Sequence, residues 1–455
     1  MNITTDKSKY YQLFEGFGAS GAWWAQEVGG WEHIDPESGK AVRDRISELL
    51  YSKQNGIGLR TYRYNIGAGS ANSDKGSYSQ PLRRTECFEV SPEKYDFSRD
   101  RNAVYMMRKA AEDGADEIIM FVNSPLERLT KSGMAHGNPK FPGTDNLPKK
   151  NYKAFAKYCL DVTEHFVKEG LPIKYLSPIN EPVWIWTGGQ EGCHYSPKNA
   201  GRVLKVFADE MDSRPALDGI KLSGLENGDI RWFNKSYTRN LFKYDSVKKR
   251  VDGVDVHSYF LKGELFRGFL SRTSFLKRFN RWMQKHYPDK NIKMSEWTHM
   301  QGGRDKTMKS GLVTANVIYE DLTLLNAVSW QHWIAVSEVD YCDGLIYIDL
   351  EDRSFEMTKR YYVTGNFSKY IPYGAVRIEI KSDDPALKCL AFIKNEKTVI
   401  IIINDTPDTK TVSFPQCESE NITLAVTDEE YNLKEFSLKN GEIEITANSV
   451  NTIIF

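Results

Sequence analysis

Two glutamates stand at the ends of short apolar runs: Glu181 in Ile179-Asn180-Glu181-Pro182 and Glu296 in Met294-Ser295-Glu296-Trp297. Two carboxyls that face each other across a pocket, one protonated and one ionised, supply what glycosidic bond cleavage requires: a proton donor and a nucleophile or base. Neither motif is specific alone, because Asn-Glu-Pro and Ser-Glu-Trp are short enough to arise by chance. Their joint meaning depends on whether both runs are strands that end on the same side of one sheet.

The pattern along the chain predicts that they are. Apolar or β-branched runs read as buried strands at Phe14–Ser20, Leu59–Ile66, Glu117–Ser124, Lys174–Pro182, Gly219–Glu226, Val251–Phe260, Lys293–Trp297 and Ala327–Val336. Between them, helical periodicity marks Asn102–Asp113, Tyr152–Glu169, Ser196–Ser213, Phe269–His286 and Gly311–Asn326. Eight strands with helical crossovers make an α/β (β/α)8 TIM barrel over residues 14–360, with Glu181 and Glu296 at the ends of its fourth and seventh strands. An open doubly wound sheet is the competing arrangement, but Gly67-Ala68-Gly69-Ser70 lacks the third glycine of a dinucleotide fingerprint. After about Tyr361 the helical period is lost. Short β runs separated by Asn, Asp, Pro and Gly turns read as a C-terminal all-β sandwich over residues 361–455, to which residues 1–13 could add a strand.

Chemistry then assigns expected roles. Glu181 is the general acid/base, its pKa raised in a Trp-rich setting, and Glu296 is the ionised nucleophile. The Asn180 amide is placed to hydrogen-bond a sugar 2-hydroxyl. His257 and Tyr259, at the end of the sixth strand, could orient Glu296, although a packing histidine is the plainer reading of His257. Arg63 could hold either glutamate ionised; Glu226 and Asp229, after the fifth strand, could bind sugar hydroxyls. For these three a rim salt bridge is the alternative. Trp23, Trp24, Trp184, Trp186, Trp297, Trp330 and Trp333 all fall at or just past strand ends, where flat rings can stack on pyranose faces and where a core would favour branched aliphatics.

Composition excludes other classes. Lys plus Arg and Asp plus Glu are both 61, so no net field favours nucleic acid or an anionic membrane. The six cysteines are scattered without a C-x-x-C pair, which suggests neither a zinc site nor a disulfide framework. No metal or organic cofactor is called for, since two carboxylates suffice. The expected partner is a carbohydrate substrate; no nucleic acid or membrane is expected, and the oligomeric state is not legible. The polar start, Met1 to Tyr11, contains no apolar signal core and no run of about 20 apolar residues occurs, so the expectation is cytoplasmic as written, or secreted if a leader has been removed.

The chain resembles glycoside hydrolase family 30, a retaining family built from a (β/α)8 barrel and a side β-domain. The residues that carry this are Phe14-Glu15-Gly16-Phe17-Gly18-Ala19-Ser20 with Trp23-Trp24-Ala25, Arg63-Tyr64-Asn65-Ile66-Gly67 and Asn123-Ser124-Pro125. They continue with Asn180-Glu181-Pro182, Gly189-Gln190-Glu191-Gly192-Cys193, Ser295-Glu296-Trp297 and Trp330-Gln331-His332-Trp333. The resemblance implies Glu181 as acid/base and Glu296 as nucleophile, and it adds Asn65 to the substrate-binding candidates. The tandem Trp23-Trp24 and the Gly-Gln-Glu-Gly-Cys loop look most like the endo-β-1,6-galactanase branch. This sequence departs from that branch after Asn123-Ser124-Pro125, where Leu126-Glu127-Arg128-Leu129 replaces an aromatic-rich stretch. The expected activity is therefore a β-glycoside hydrolase acting on β-1,6-galactan or galacto-oligosaccharides. Hydrolysis of β-1,6-glucan, glucuronoxylan or a glucosyl lipid, and carbohydrate binding without catalysis, are the alternatives.

Overall fold

The computed structural model describes residues 1–231, 233–259 and 271–455. Eight parallel strands form one sheet: Gly16–Ser20, Thr61–Asn65, Glu117–Phe121, Ile173–Ser177, Lys221–Leu222, Gly253–His257, Asn291–Trp297 and Ser329–His332. The eighth pairs with the first through Trp330 opposite Phe17. The fifth is only two residues long, and the ring closes between it and the sixth through a single bridge, Asn227 to Val256. In the first, second, third and sixth strands every residue is buried, because helices cover one face and the barrel interior covers the other. All eight expected strands are present, although Phe260 of the expected sixth strand and residues 269–270 of the expected Phe269–His286 helix lie outside the described residues.

Helices Val42–Tyr51, Arg101–Asp113, Tyr152–Lys168, Pro197–Met211, Arg272–His286 and Met308–Glu320 pack around this ring. The expected Gly311–Asn326 helix starts at Met308 and changes at Asp321 into a π-helical turn through Leu325. That turn points Asp321 inward, where it accepts from Arg272 at 2.5 Å and from Trp330 Nε1 at 3.0 Å.

The C-terminal part is all-β. Its main sheet has seven strands, in the order Ile3–Phe14, Ala375–Ser382, Leu387–Lys394, Lys397–Asn404, Ser449–Ile454, Asn421–Thr427 and Lys434–Lys439. Lys410–Val412 pairs with Ile443–Ile445, and their inward residues close a second core with Ile378, Ile400 and Ile402. The N-terminal strand runs antiparallel to Ala375–Ser382. One helix, Lys359–Ser368, spans the expected change of domain at residue 361. It links the two parts: Tyr361 donates to Leu49 O at 2.7 Å, and Asn366 donates to Ala425 O at 3.1 Å. Among the described residues no helix is long and apolar enough to cross a membrane.

Candidate active site

The strand ends deliver six ionisable groups to one place. Arg63, in the second strand, is fully buried and donates to Glu226 at 2.6 Å and to Glu296 at 3.0 Å. Its guanidinium lies over Phe121, 4.3 Å from the ring centre, which fixes the plane of the fork. His257 ends the sixth strand, with Nδ1 2.8 Å from Glu181 Oε1 and 3.7 Å from Glu296 Oε1, and with Nε2 3.4 Å from Glu226. The Tyr259 hydroxyl donates to Glu296 Oε1. Glu181 itself has a left-handed backbone, φ +46°, held by its N–H on Glu226 O at 2.6 Å and by Trp186 Nε1 on its carbonyl at 2.9 Å. A non-glycine residue held there stores strain that its neighbours must over-determine.

Burial and charge set the protonation states. Burial raises the pKa of Glu181, and the nearby Glu296 and Glu226 add to that against the opposing pull of His257. Burial opposes the His257 imidazolium, but the three surrounding carboxylates outweigh it and raise its pKa to about 10. Burial likewise opposes the Glu226 anion, and Arg63 followed by His257 reverses that and holds Glu226 down at about 2. The arrangement thus favours the protonated form of Glu181 beside two cations that are shared among carboxylates. Glu181, His257 and Glu296 offer three ligand atoms within 4.8 Å of one another. They make a poor divalent-cation site, because His257 is held in its imidazolium form and Arg63 already occupies one Glu296 oxygen.

Glu181 and Glu296 open onto a cavity of about 580 Å³, to which Asn180, Trp184, Trp186, Asp229, Tyr259 and Trp333 also contribute. Two other depressions of similar size, about 540 Å³ beside Thr4–Lys7 and about 590 Å³ beside Glu169–Pro172, have no aromatic wall.

Several expected substrate contacts are corrected by this geometry. Trp24, Trp297 and Trp330 are buried and do not reach the cavity. Trp24 Nε1 turns back to Ser20 O at 2.9 Å, and Trp297 packs on Trp330 with ring centres 5.9 Å apart. Trp23 is also buried, edge-on to Trp333 at 5.1 Å. A strand-end position fixes height along the barrel but leaves open which way a side chain points: Trp24, Trp297 and Trp330 point away from the cavity, and Trp23 lies behind Trp333 and Arg83. Arg63, His257 and Glu226 lie behind the carboxyls and do not line the cavity. Asn65 also stands back: Asn180 donates to Asn123 Oδ1 at 3.0 Å and Asn123 donates to Asn65 Oδ1 at 3.4 Å. Asp229 lines the cavity with both oxygens paired to Arg231, at 2.5 to 2.9 Å. Sequence reasoning missed Gln80, Arg83, Gln190, Met300, Asp340 and Asp343, which complete the wall from long loops that carry no periodic signal.

Comparison with known proteins bears on the family and the fold. A family model described as O-glycosyl hydrolase family 30 matches residues 1–248 and 286–347, and the glycosyl hydrolase family 30 beta sandwich domain matches residues 374–453. An endo-beta-1,6-galactanase of Hypocrea rufa is 25% identical over 446 residues, covering 90% of this chain and 82% of that protein. The crystal structure of a conserved exported protein from Bacteroides fragilis superposes with a TM-score of 0.86 at 23% identity, covering both chains completely. The catalytic domain of GH30 xylanase C from Talaromyces cellulolyticus gives 0.76 at 16% identity, covering 100% of this chain and 99% of that one. At these identities the two structures show the fold.

Proposed function

The chain belongs to O-glycosyl hydrolase family 30, and from that premise we propose that it cleaves β-linked galactan or galacto-oligosaccharides with retention of configuration, through Glu181 and Glu296. The observation that carries this reading is the spacing of the two carboxyls, whose nearest oxygens lie within 4.8 Å. Retaining enzymes place the two groups about 5 to 5.5 Å apart, whereas inverting enzymes need about 6.5 Å or more to admit a water.

The environments divide the labour. Glu181, whose pKa burial raises, gives its proton to the glycosidic oxygen as the bond breaks. Its new negative charge is received by the His257 imidazolium 2.8 Å away. Glu296, fixed by donors from Arg63 and Tyr259, attacks the anomeric carbon from the opposite face and forms the glycosyl ester. Glu181, now ionised, takes a proton from the water that hydrolyses this ester. Asn180, oriented through Asn123 and Asn65, meets the 2-hydroxyl, and Trp184 and Trp333 supply stacking faces. The choice of β-1,6-galactan is supported by the galactanase relative, which aligns with most of both chains.

The test is product analysis of the protein beside Glu296→Ala on β-1,6-galacto-oligosaccharides, β-1,6-glucan, glucuronoxylan and aryl β-glycosides. Galactose or galactobiose, absent with the variant, is the expected product. Turnover of another substrate alone would keep the mechanism and overturn the substrate.

A further inference from the structure

One cavity wall is built from two loops locked together. The loop after the fourth strand carries Gln190 and Glu191; the loop after the second carries Ser70, Gln80 and Arg83. Glu191 is fully buried, and its carboxylate accepts from Ala68 N at 3.1 Å, Ser70 N at 3.2 Å and Ser70 Oγ at 2.6 Å. No Lys, Arg or His nitrogen among the described residues lies within 4.0 Å of it, so an isolated buried carboxylate is held only by donors of the other loop. Ser70 Oγ in turn accepts from Thr85 N at 2.9 Å, two residues from Arg83. The same loops are paired again by Gly189 N on Ser77 O at 2.8 Å and Ser79 N on Gly189 O at 3.0 Å.

Arg83 is the product of that staple. Its guanidinium lies flat on Trp23, 3.8 Å from the ring, and donates to Gln190 Oε1 at 3.2 Å. Among the described residues it has no carboxylate partner within 4.0 Å. Gln80 also lines the wall. The donor fork of Arg83 matches sugar hydroxyls, which accept as well as donate. Glu338 and Asp343, close enough to act on the Arg83 charge, disfavour an acidic group there. The wall stands out from the glutamates by a ladder of contacts: Arg63 on Glu296, Trp333 at 6.0 Å from Arg63, Trp23 at 5.1 Å from Trp333, and then Arg83.

Resting on the glycosidase reading above, we propose that Arg83 is a specificity-determining residue that binds the hydroxyls of a neutral sugar beyond the one at Glu181 and Glu296, and that Glu191 is its positioning residue. The site therefore takes an oligosaccharide of at least two units.

The experiment compares kcat/KM for the best oligosaccharide of the substrate panel with kcat/KM for the aryl β-glycoside of its own sugar, in wild type, Arg83→Gln and Glu191→Gln. Loss of one hydrogen bond to a charged group is worth about tenfold. The expected result is a fall of about tenfold or more in the oligosaccharide-to-aryl ratio in both variants, carried by KM. Equal losses on both substrates, or an unchanged ratio, would overturn the inference while leaving the glycosidase reading intact. If Glu191→Gln does not fold, Arg83→Gln decides alone, since its side chain is half-exposed. Wild-type protein that hydrolyses none of the panel would overturn the glycosidase reading and this inference with it.

Discussion

Glu226→Gln removes a carboxylate that never reaches the cavity, yet it should slow the reaction and displace its pH profile. Glu226 accepts from Arg63 at 2.6 Å and from His257 at 3.4 Å. A hydrogen bond to a charged group is worth about 1.5 to 3 kcal/mol, which corresponds to roughly 10- to 100-fold in rate if it is expressed in the transition state. The route of the loss is specific. Without the Glu226 anion, the Arg63 charge bears wholly on Glu296 at 3.0 Å and makes it a weaker nucleophile. Glu181 and His257 both lose an anion that now favours their protonated forms. Removal of a charge at such distances moves a pKa by about one unit or more, so the alkaline limb of kcat/KM should move toward acid by about that much. The assay is kcat/KM on an aryl β-glycoside across the pH range, run below the variant's own melting temperature. Wild-type rates in a folded variant, or an alkaline limb that moves upward, would refute the role given to this carboxylate.

Other perturbations separate binding, packing and titration. A Cβ on Gly228 would stand 2.3 Å from Trp184 Nε1 and 2.8 Å from Glu181 Cδ; Gly228→Ala should therefore cut kcat by displacing the acid, and wild-type kcat would contradict that. Trp330→Ala empties a buried site whose indole donates to Asp321 and should cost about 3 to 5 kcal/mol by denaturant melt. Trp184→Ala, at a residue 38% exposed in the cavity wall, should instead raise KM several-fold with little change in melting. Stability itself should fall as pH rises from about 6 to about 9. Burial raises Asp100 to about 8 and Glu191 to about 7, so up to those values the native state holds protons that the unfolded chain has already lost. His257, raised to about 10 by its carboxylates against the cost of burial, contributes stability that is complete below its unfolded pKa and lost as pH climbs toward 10. A thermal midpoint that rises across this range would contradict all three.

The barrel was legible because parallel strands buried on both faces leave unbroken apolar runs, and even the two-residue fifth strand sits inside such a run, Gly219–Glu226. The positions of Glu181 and Glu296 were legible for the same reason: a charged residue at the end of a buried strand has few places to go except the barrel mouth. What was not legible was direction. Trp23 and Trp333 are both rim tryptophans by position, but Trp333 lines the cavity while the face of Trp23 is covered by Arg83. For Glu226 the sequence admits both a sugar ligand and a salt bridge, because its partner Arg63 lies 163 residues away, a pairing that local pattern does not reveal. Arg83 and Gln80 lie in a loop with neither period nor motif, and contacts distant in sequence, the staple from Glu191 among them, give them a fixed position.

The stereochemistry of the first product tests the central claim most directly. Proton NMR of the fresh hydrolysate from a β-glycoside substrate reads the anomer before mutarotation mixes it. Carboxyl oxygens within 4.8 Å of each other predict the β-anomer first, formed by two displacements through Glu296. Initial release of the α-anomer would mean that water attacks directly, and would contradict the assignment of Glu296 as a nucleophile.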